Sequence, residues 1–168
     1  MRCFYCMPPE GVAHKAHEAI LSYEELLLIA ETAVELGIEK IRITGGEPLV
    51  RAGIVPFLGR LSAIPGLRHL ALTTNGALLE QMASDLYCAG VQRLNVSLDS
   101  LHPQTFSDIT RGGDLKSVLA GLDAAESAGF RPPKINCVIM RGVNDGEILD
   151  FAERTLTHGN SIRFIEYM

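Results

Sequence analysis

Residues 22–48, SYEELLLIAETAVELGIEKIRITGGEP, hold one helix, one short strand and the loop that leaves it. Ser22 with Glu25 three residues on has the spacing of a capping box, in which each group satisfies the other's orphan backbone donor. Leu26, Ile29, Ala30, Ala33 and Val34 form a stripe at helical spacing, and Gly37 ends it. A strand over 40–44 follows, then Gly45-Gly46-Glu47-Pro48. The same alternation recurs. Strands are predicted near 68–73, 93–97, 135–139 and 162–166, and helices near 54–63, 78–88, 115–128 and 147–156. Gly90, Gly129 and Gly159 stand just past three of the helices, and Asp114 and Asn144 are placed to cap the last two. Short strands each followed by a helix imply parallel pairing through right-handed crossovers, so the fold class is α/β. Spacing alone does not choose between a barrel and an open sheet.

The chain's 168 residues suffice for one domain with its own core and fall short of two. With 47% hydrophobic and 21% charged residues, the composition is close to that of an ordinary globular protein and makes disorder a poor reading. A net charge of −5 argues against a general nucleic-acid coat or a binder of anionic membranes, and leaves room for a local basic pocket. No apolar run reaches membrane-span length and no signal-peptide core stands at the N-terminus, so the expected location is the cytoplasm.

The strand faces say more than the strands. A strand buried on both sides of a parallel sheet is nearly all apolar. These strands alternate instead: Ile41 and Ile43 oppose Arg42 and Thr44, Leu94 and Val96 oppose Asn95 and Ser97, and Ile135 and Cys137 oppose Lys134 and Asn136. Thr73 and Glu166 add polar groups near two other strand ends. If the apolar faces meet the helices, the polar faces converge on one interior. Burying Arg42 or Lys134 there without partners costs several kcal/mol, so that interior holds water, a polar ligand or compensating carboxylates. The competing reading is an ordinary sheet with solvated edges.

Four cysteines are present, and disulfides are not expected in a protein of this kind. Cys88 at a helix end and Cys137 in a strand read as small buried hydrophobes. Cys3 and Cys6 stand at C-x-x-C spacing, which suits a metal centre, a redox dithiol or no site at all. No second cysteine pair follows, and no strand precedes the motif as a thioredoxin-like site requires. Gly45-Gly46, Thr73-Thr74-Asn75-Gly76 and Ser97-Leu98-Asp99-Ser100 each close a strand with small or polar residues, at the carboxyl ends where parallel α/β folds bind ligands. Arg111-Gly112-Gly113 reads as a turn before Asp114.

Taken in order, CFYCMP at 3–8, IRITGGEPL at 41–49, LTTNG at 72–76, NVSLD at 95–99 and FIEYM at 164–168 resemble the GTP 3′,8-cyclase family. These are radical S-adenosylmethionine enzymes of molybdenum cofactor biosynthesis. The resemblance runs over the whole chain. It implies a partial TIM-type βα barrel forming one radical S-adenosylmethionine core domain over residues 1–168. It also implies a [4Fe–4S] cluster held by three cysteines in C-x-x-x-C-x-x-C order. By motif position Cys3 and Cys6 are the last two of those ligands. Tyr5, Gly46, Ser97 and Met168 then contact S-adenosylmethionine, and Arg42, Thr73 and Lys134 bind GTP. The implied reaction opens S-adenosylmethionine to a deoxyadenosyl radical, which abstracts hydrogen from the GTP ribose and leads to 3′,8-cyclo-7,8-dihydro-GTP. The partners implied are GTP, an electron donor and, for the full-length protein, a second copy in a homodimer.

The chain also departs from the family. The first cluster cysteine is expected two residues before Met1, and the family's N-terminal arginine is missing. The chain stops before the C-terminal cysteines of a second, substrate-facing [4Fe–4S] cluster and before the Gly-Gly tail. The expectation is a fragment lacking both ends that does not complete catalysis alone. Two rival readings remain: another radical S-adenosylmethionine enzyme with a different substrate, and a non-catalytic C-x-x-C metal-binding remnant.

Overall fold

The capping box forms as its spacing predicts. The Glu25 amide donates to Ser22 Oγ at 3.2 Å and the Ser22 amide donates to the Glu25 carboxylate at 2.7 Å, which starts helix α1 (Tyr23–Glu35). The computed structural model describes residues 1–11 and 19–167. After α1 come β1 (Lys40–Ile43), α2 (Ile54–Ser62), β2 (His69–Thr74), α3 (Leu79–Cys88), β3 (Arg93–Ser97) and α4 (Pro103–Thr110). The chain continues through α5 (Leu115–Ser127), β4 (Lys134–Ile139), α6 (Ile148–His158) and β5 (Ser161–Glu166).

The five strands are all parallel and lie in the order β1-β2-β3-β4-β5. Each connection therefore steps to the next strand in the same direction. With α1 packed on α2, α2 on α3, and both α3 and α4 on α5, the helices form one outer layer. This is a partial TIM-type βα barrel. The core lies between sheet and helices. Leu72, Val96, Ile135 and Cys137 from the strands meet Leu58, Leu61, Leu86, Leu122 and Phe151 from the helices, and all are at most 1% exposed. Burying a side chain of this size fully stabilises by about 1.5–3 kcal/mol, so this layer outweighs any single polar contact. Packing of α5 on α3 is close enough to demand glycine: a Cβ on Gly121 would stand 2.7 Å from the Gly76 carbonyl oxygen. Among the described residues no helix is long and apolar enough to cross a membrane.

Four details differ from the sequence expectation. The buried residues of α1 are Leu27 and Ala30, whereas Ile29 is exposed; the run Leu26–Ile29 is apolar all round, so it leaves the buried face undefined. Cys137 is buried as expected, but Cys88 is exposed because α3 turns Leu79, Ala83 and Leu86 to the core and Cys88 falls on the opposite side of the helix. Asp114 does cap α5, accepting from the Lys116 and Ser117 amides. Asn144 does not cap α6. A 3₁₀ turn over Asp145–Glu147 intervenes, and the Asn144 side chain is drawn inward to bond Met140, Asp99 and Val138. Finally, Arg111 closes a helix, α4, that the sequence reading leaves as loop.

Candidate functional site

Strand alternation leaves Arg42, Thr73, Asn95, Ser97, Lys134 and Asn136 on the face turned away from the helices. Register places Thr73 beside Asn95 and Asn95 beside Lys134. These residues floor one trough that runs along the strands. From Ser97 back to Arg93 on β3 is four residues, about 13 Å.

The carboxyl end of the trough opens into a cleft of about 600 Å³, lined by Cys3, Tyr5 and Cys6 together with Gly45, Gly46, Thr73 and Ser97. The cysteines sit in a tight turn, with the Cys6 and Met7 amides both donating to the Cys3 carbonyl at 3.1 Å. Two further backbone bonds, Arg2 to Thr110 and Phe4 to Ile109, lay this segment along the end of α4. The Tyr5 hydroxyl donates to Asp99 Oδ2 at 2.7 Å, and Asp99 Oδ1 accepts from the Val138 amide at 2.8 Å. Asp99 is buried, and burial raises its pKa, against the lowering effect of those two donors. Burial, and then the Asp99 carboxylate, push the Tyr5 phenol upward, so Tyr5 stays a proton donor. Burial first, and Asp99 next, push the Cys3 thiol up to about 11. A bound cation reverses that order, because a coordinating thiol is deprotonated outright.

The loop after β1 is held by Glu47. Its Oε1 accepts from Thr74 Oγ1 at 2.7 Å and from the Leu49 amide at 3.1 Å, and its Oε2 accepts from the Asn75 amide at 2.6 Å. Glu47 therefore braces the loops after β1 and β2 against each other. Gly45 has φ 151°, a backbone conformation that favours glycine, whereas Gly46 has no such φ and a Cβ added to it would touch nothing within 4 Å, so the fold itself does not explain Gly46. The bare backbone of both glycines faces the cleft, as close approach of a ligand to main chain requires.

The other end of the trough is cationic. A cavity of about 200 Å³ is lined by Lys40, Arg42, Arg93, Arg131 and Lys134, with Asn95 and Ser161 between them. Among the described residues none of these five cations has a carboxylate within 4.0 Å. In a chain of net charge −5 this is a concentrated, uncompensated positive field.

The expected site residues thus divide in two. Cys3, Cys6, Tyr5, Gly46, Ser97 and Thr73 meet in the cleft, while Arg42 and Lys134 meet at the far end; Met168 lies outside the described residues. Sequence reasoning does not single out Lys40, Arg93 or Asp99. Period-two spacing carries the signal for the first two, since Lys40 precedes Arg42, and Arg93 precedes Asn95, on the same face. Among the described residues no group of three or more His, Cys, Asp or Glu side chains gathers as a metal site, so Cys3 and Cys6 stand as a pair of donors.

Comparison with known proteins agrees with this geometry. The chain is 66% identical over all 168 residues to GTP 3′,8-cyclase of Geobacter sulfurreducens and 54% identical to that of Thermodesulfovibrio yellowstonii. It spans about half, 52%, of the length of each of these curated relatives. Among solved structures, Streptococcus suis SuiB bound to S-adenosylmethionine matches with a TM-score of 0.78 at 16% identity, covering 99% of this chain and 38% of that one. Methylornithine synthase matches with a TM-score of 0.73 at 15% identity, covering 99% of this chain and 50% of that one. The profile of the radical SAM superfamily matches residues 1–155. Since that match runs from the cysteine turn through four of the five strands and into α6, the chain belongs to the radical SAM superfamily.

Proposed function

We propose that this chain is the S-adenosylmethionine-binding barrel of a GTP 3′,8-cyclase of molybdenum cofactor biosynthesis. The observation that carries the reading is the trough, with a thiol pair at one end and, at the other, five cations that have no carboxylate partner among the described residues. The named relatives at 50–66% identity support it. Cys3 and Cys6, two thiols in one tight turn at the cleft, fit two of the three thiolate ligands of a [4Fe–4S] cluster. Bound, that cluster and S-adenosylmethionine supply the radical chemistry, and the chain's own residues bind and orient. Tyr5, Gly46 and Ser97 hold S-adenosylmethionine from the cleft wall, and the resemblance assigns Met168 the same role. Thr73 stands on the cleft side of the trough to contact the nucleoside, while Arg42 and Lys134, joined by Lys40, neutralise the triphosphate. With two thiols alone, the isolated chain does not turn over GTP. A second [4Fe–4S] cluster, an electron donor and a homodimer belong to the whole protein in this reading, as does a cytoplasmic location.

The test is nucleotide binding by calorimetry on the cluster-loaded whole protein, which supplies the third thiolate. Arg42→Ala and Lys134→Ala are each expected to weaken GTP binding about tenfold or more, the size of one lost charge-assisted contact, while S-adenosylmethionine affinity stays the same. GTP should also bind more tightly than ATP. Unchanged GTP affinity in both variants overturns the reading, and equal affinity for the two nucleotides assigns the barrel to another substrate.

A further inference from the structure

Arg111 closes α4 with φ 56° and ψ 59°, and among the described residues it is the only non-glycine with positive φ. Left-handed backbone is unfavourable for a residue with a Cβ and persists only where the surroundings over-determine it. Gly112 and Gly113 follow directly, so the sequence carries glycine one step away from the position that most suits it. What arginine adds there is its side chain. Guanidinium Nη1 donates to the Met7 carbonyl at 2.7 Å and reaches the Arg2 carbonyl at 3.5 Å. Those carbonyls belong to the residues that immediately flank Cys3 and Cys6, so one head group ties both ends of the cysteine turn. The backbone bonds from Arg2 to Thr110 and from Phe4 to Ile109 need no particular side chain at 111. Only a long, multi-donor side chain spans to both flanking carbonyls.

We propose that Arg111 is a positioning residue that clamps the Cys3–Cys6 turn in the shape that presents both thiols together. Its bearing on catalysis rests on the reading of Cys3 and Cys6 as cluster ligands, and preorganised ligands depend on such outer contacts. The clamp itself is a property of the chain without metal.

The experiment is alkylation of the iron-free protein with iodoacetamide, read site by site by mass spectrometry. Exposed Cys88 is the internal standard and buried Cys137 reports global opening. Two variants remove the guanidinium while suiting left-handed backbone, Arg111→Gly and Arg111→Asn. Cys6 is exposed, like Cys88, so half-buried Cys3 carries the readout: in both variants Cys3 is expected to react about fivefold faster or more relative to Cys88, with Cys137 still protected. The thermal midpoint of Arg111→Gly should hold or rise by about 2–4 °C, opposite in sign to the loosened turn. An unchanged Cys3 rate, or a rise that includes Cys137, overturns the clamp. Iron content of the reconstituted whole protein, which in the proposed function supplies the third thiolate, separates the two readings. If Cys3 and Cys6 hold no iron, the proposed function falls while the alkylation contrast still decides the clamp.

Discussion

The two carboxylate oxygens of Glu47 accept three hydrogen bonds, one from Leu49 within the loop after β1 and two, from Thr74 and Asn75, that join this loop to the end of β2. Replacing Glu47 by Ala strips the acceptor from the Asn75 and Leu49 amides and from the Thr74 hydroxyl. A lost partner for a buried or half-buried donor costs about 1–3 kcal/mol, so the urea midpoint of Glu47→Ala should fall clearly, with Glu47→Gln recovering part of the loss. Arg42, Thr73, Ser97 and Lys134 are legible in the sequence because strand alternation is local and puts each on the polar face. Glu47 and Asp99 are not. Their partners Asn75 and Tyr5 lie 28 and 94 residues away, and no periodic pattern spans such distances.

At the scale of elements, Gly121 sets two effects in opposition. Alanine is the better helix former by about 1 kcal/mol. A Cβ there, however, would stand 2.7 Å from the Gly76 carbonyl oxygen and 2.8 Å from Leu79 Cβ, against backbone and a side-chain stem that cannot swing aside. Overpacking costs about 1–3 kcal/mol, so Gly121→Ala should be net destabilised in urea unfolding. At the start of α1, Ser22→Ala removes the acceptor for the Glu25 amide and should cost about 1 kcal/mol by the same measurement. Five strands and five of the six helices are legible from capping residues, glycine stops and apolar spacing. The exception, α4, has eight residues, PQTFSDIT, of which only Phe106, Ile109 and Thr110 are buried. Its Thr, Ser and Asp residues are poor helix formers, and its one local sign is Pro103 in the first turn.

For the whole molecule, the sheet ends on two strands, β1 and β5, each with one neighbour among the described residues. Along β5 and just past it, Phe164, Ile165 and Tyr167 are 42%, 40% and 53% exposed. An open parallel edge bearing apolar side chains pairs readily with other chains. The isolated chain should therefore show concentration-dependent association by sedimentation velocity, and Ile165→Lys should diminish it. The barrel's two faces have a different consequence. Because apolar residues on the strands meet the helices while their alternate neighbours line the trough, stability and chemistry are written in separate, interleaved letters of the same strands. Inward positions can change one at a time without disturbing the layer that keeps the chain folded. A scaffold of that kind is free to diversify, and structures sharing this fold at 15–16% identity show how far its sequence can drift while the architecture stays in place.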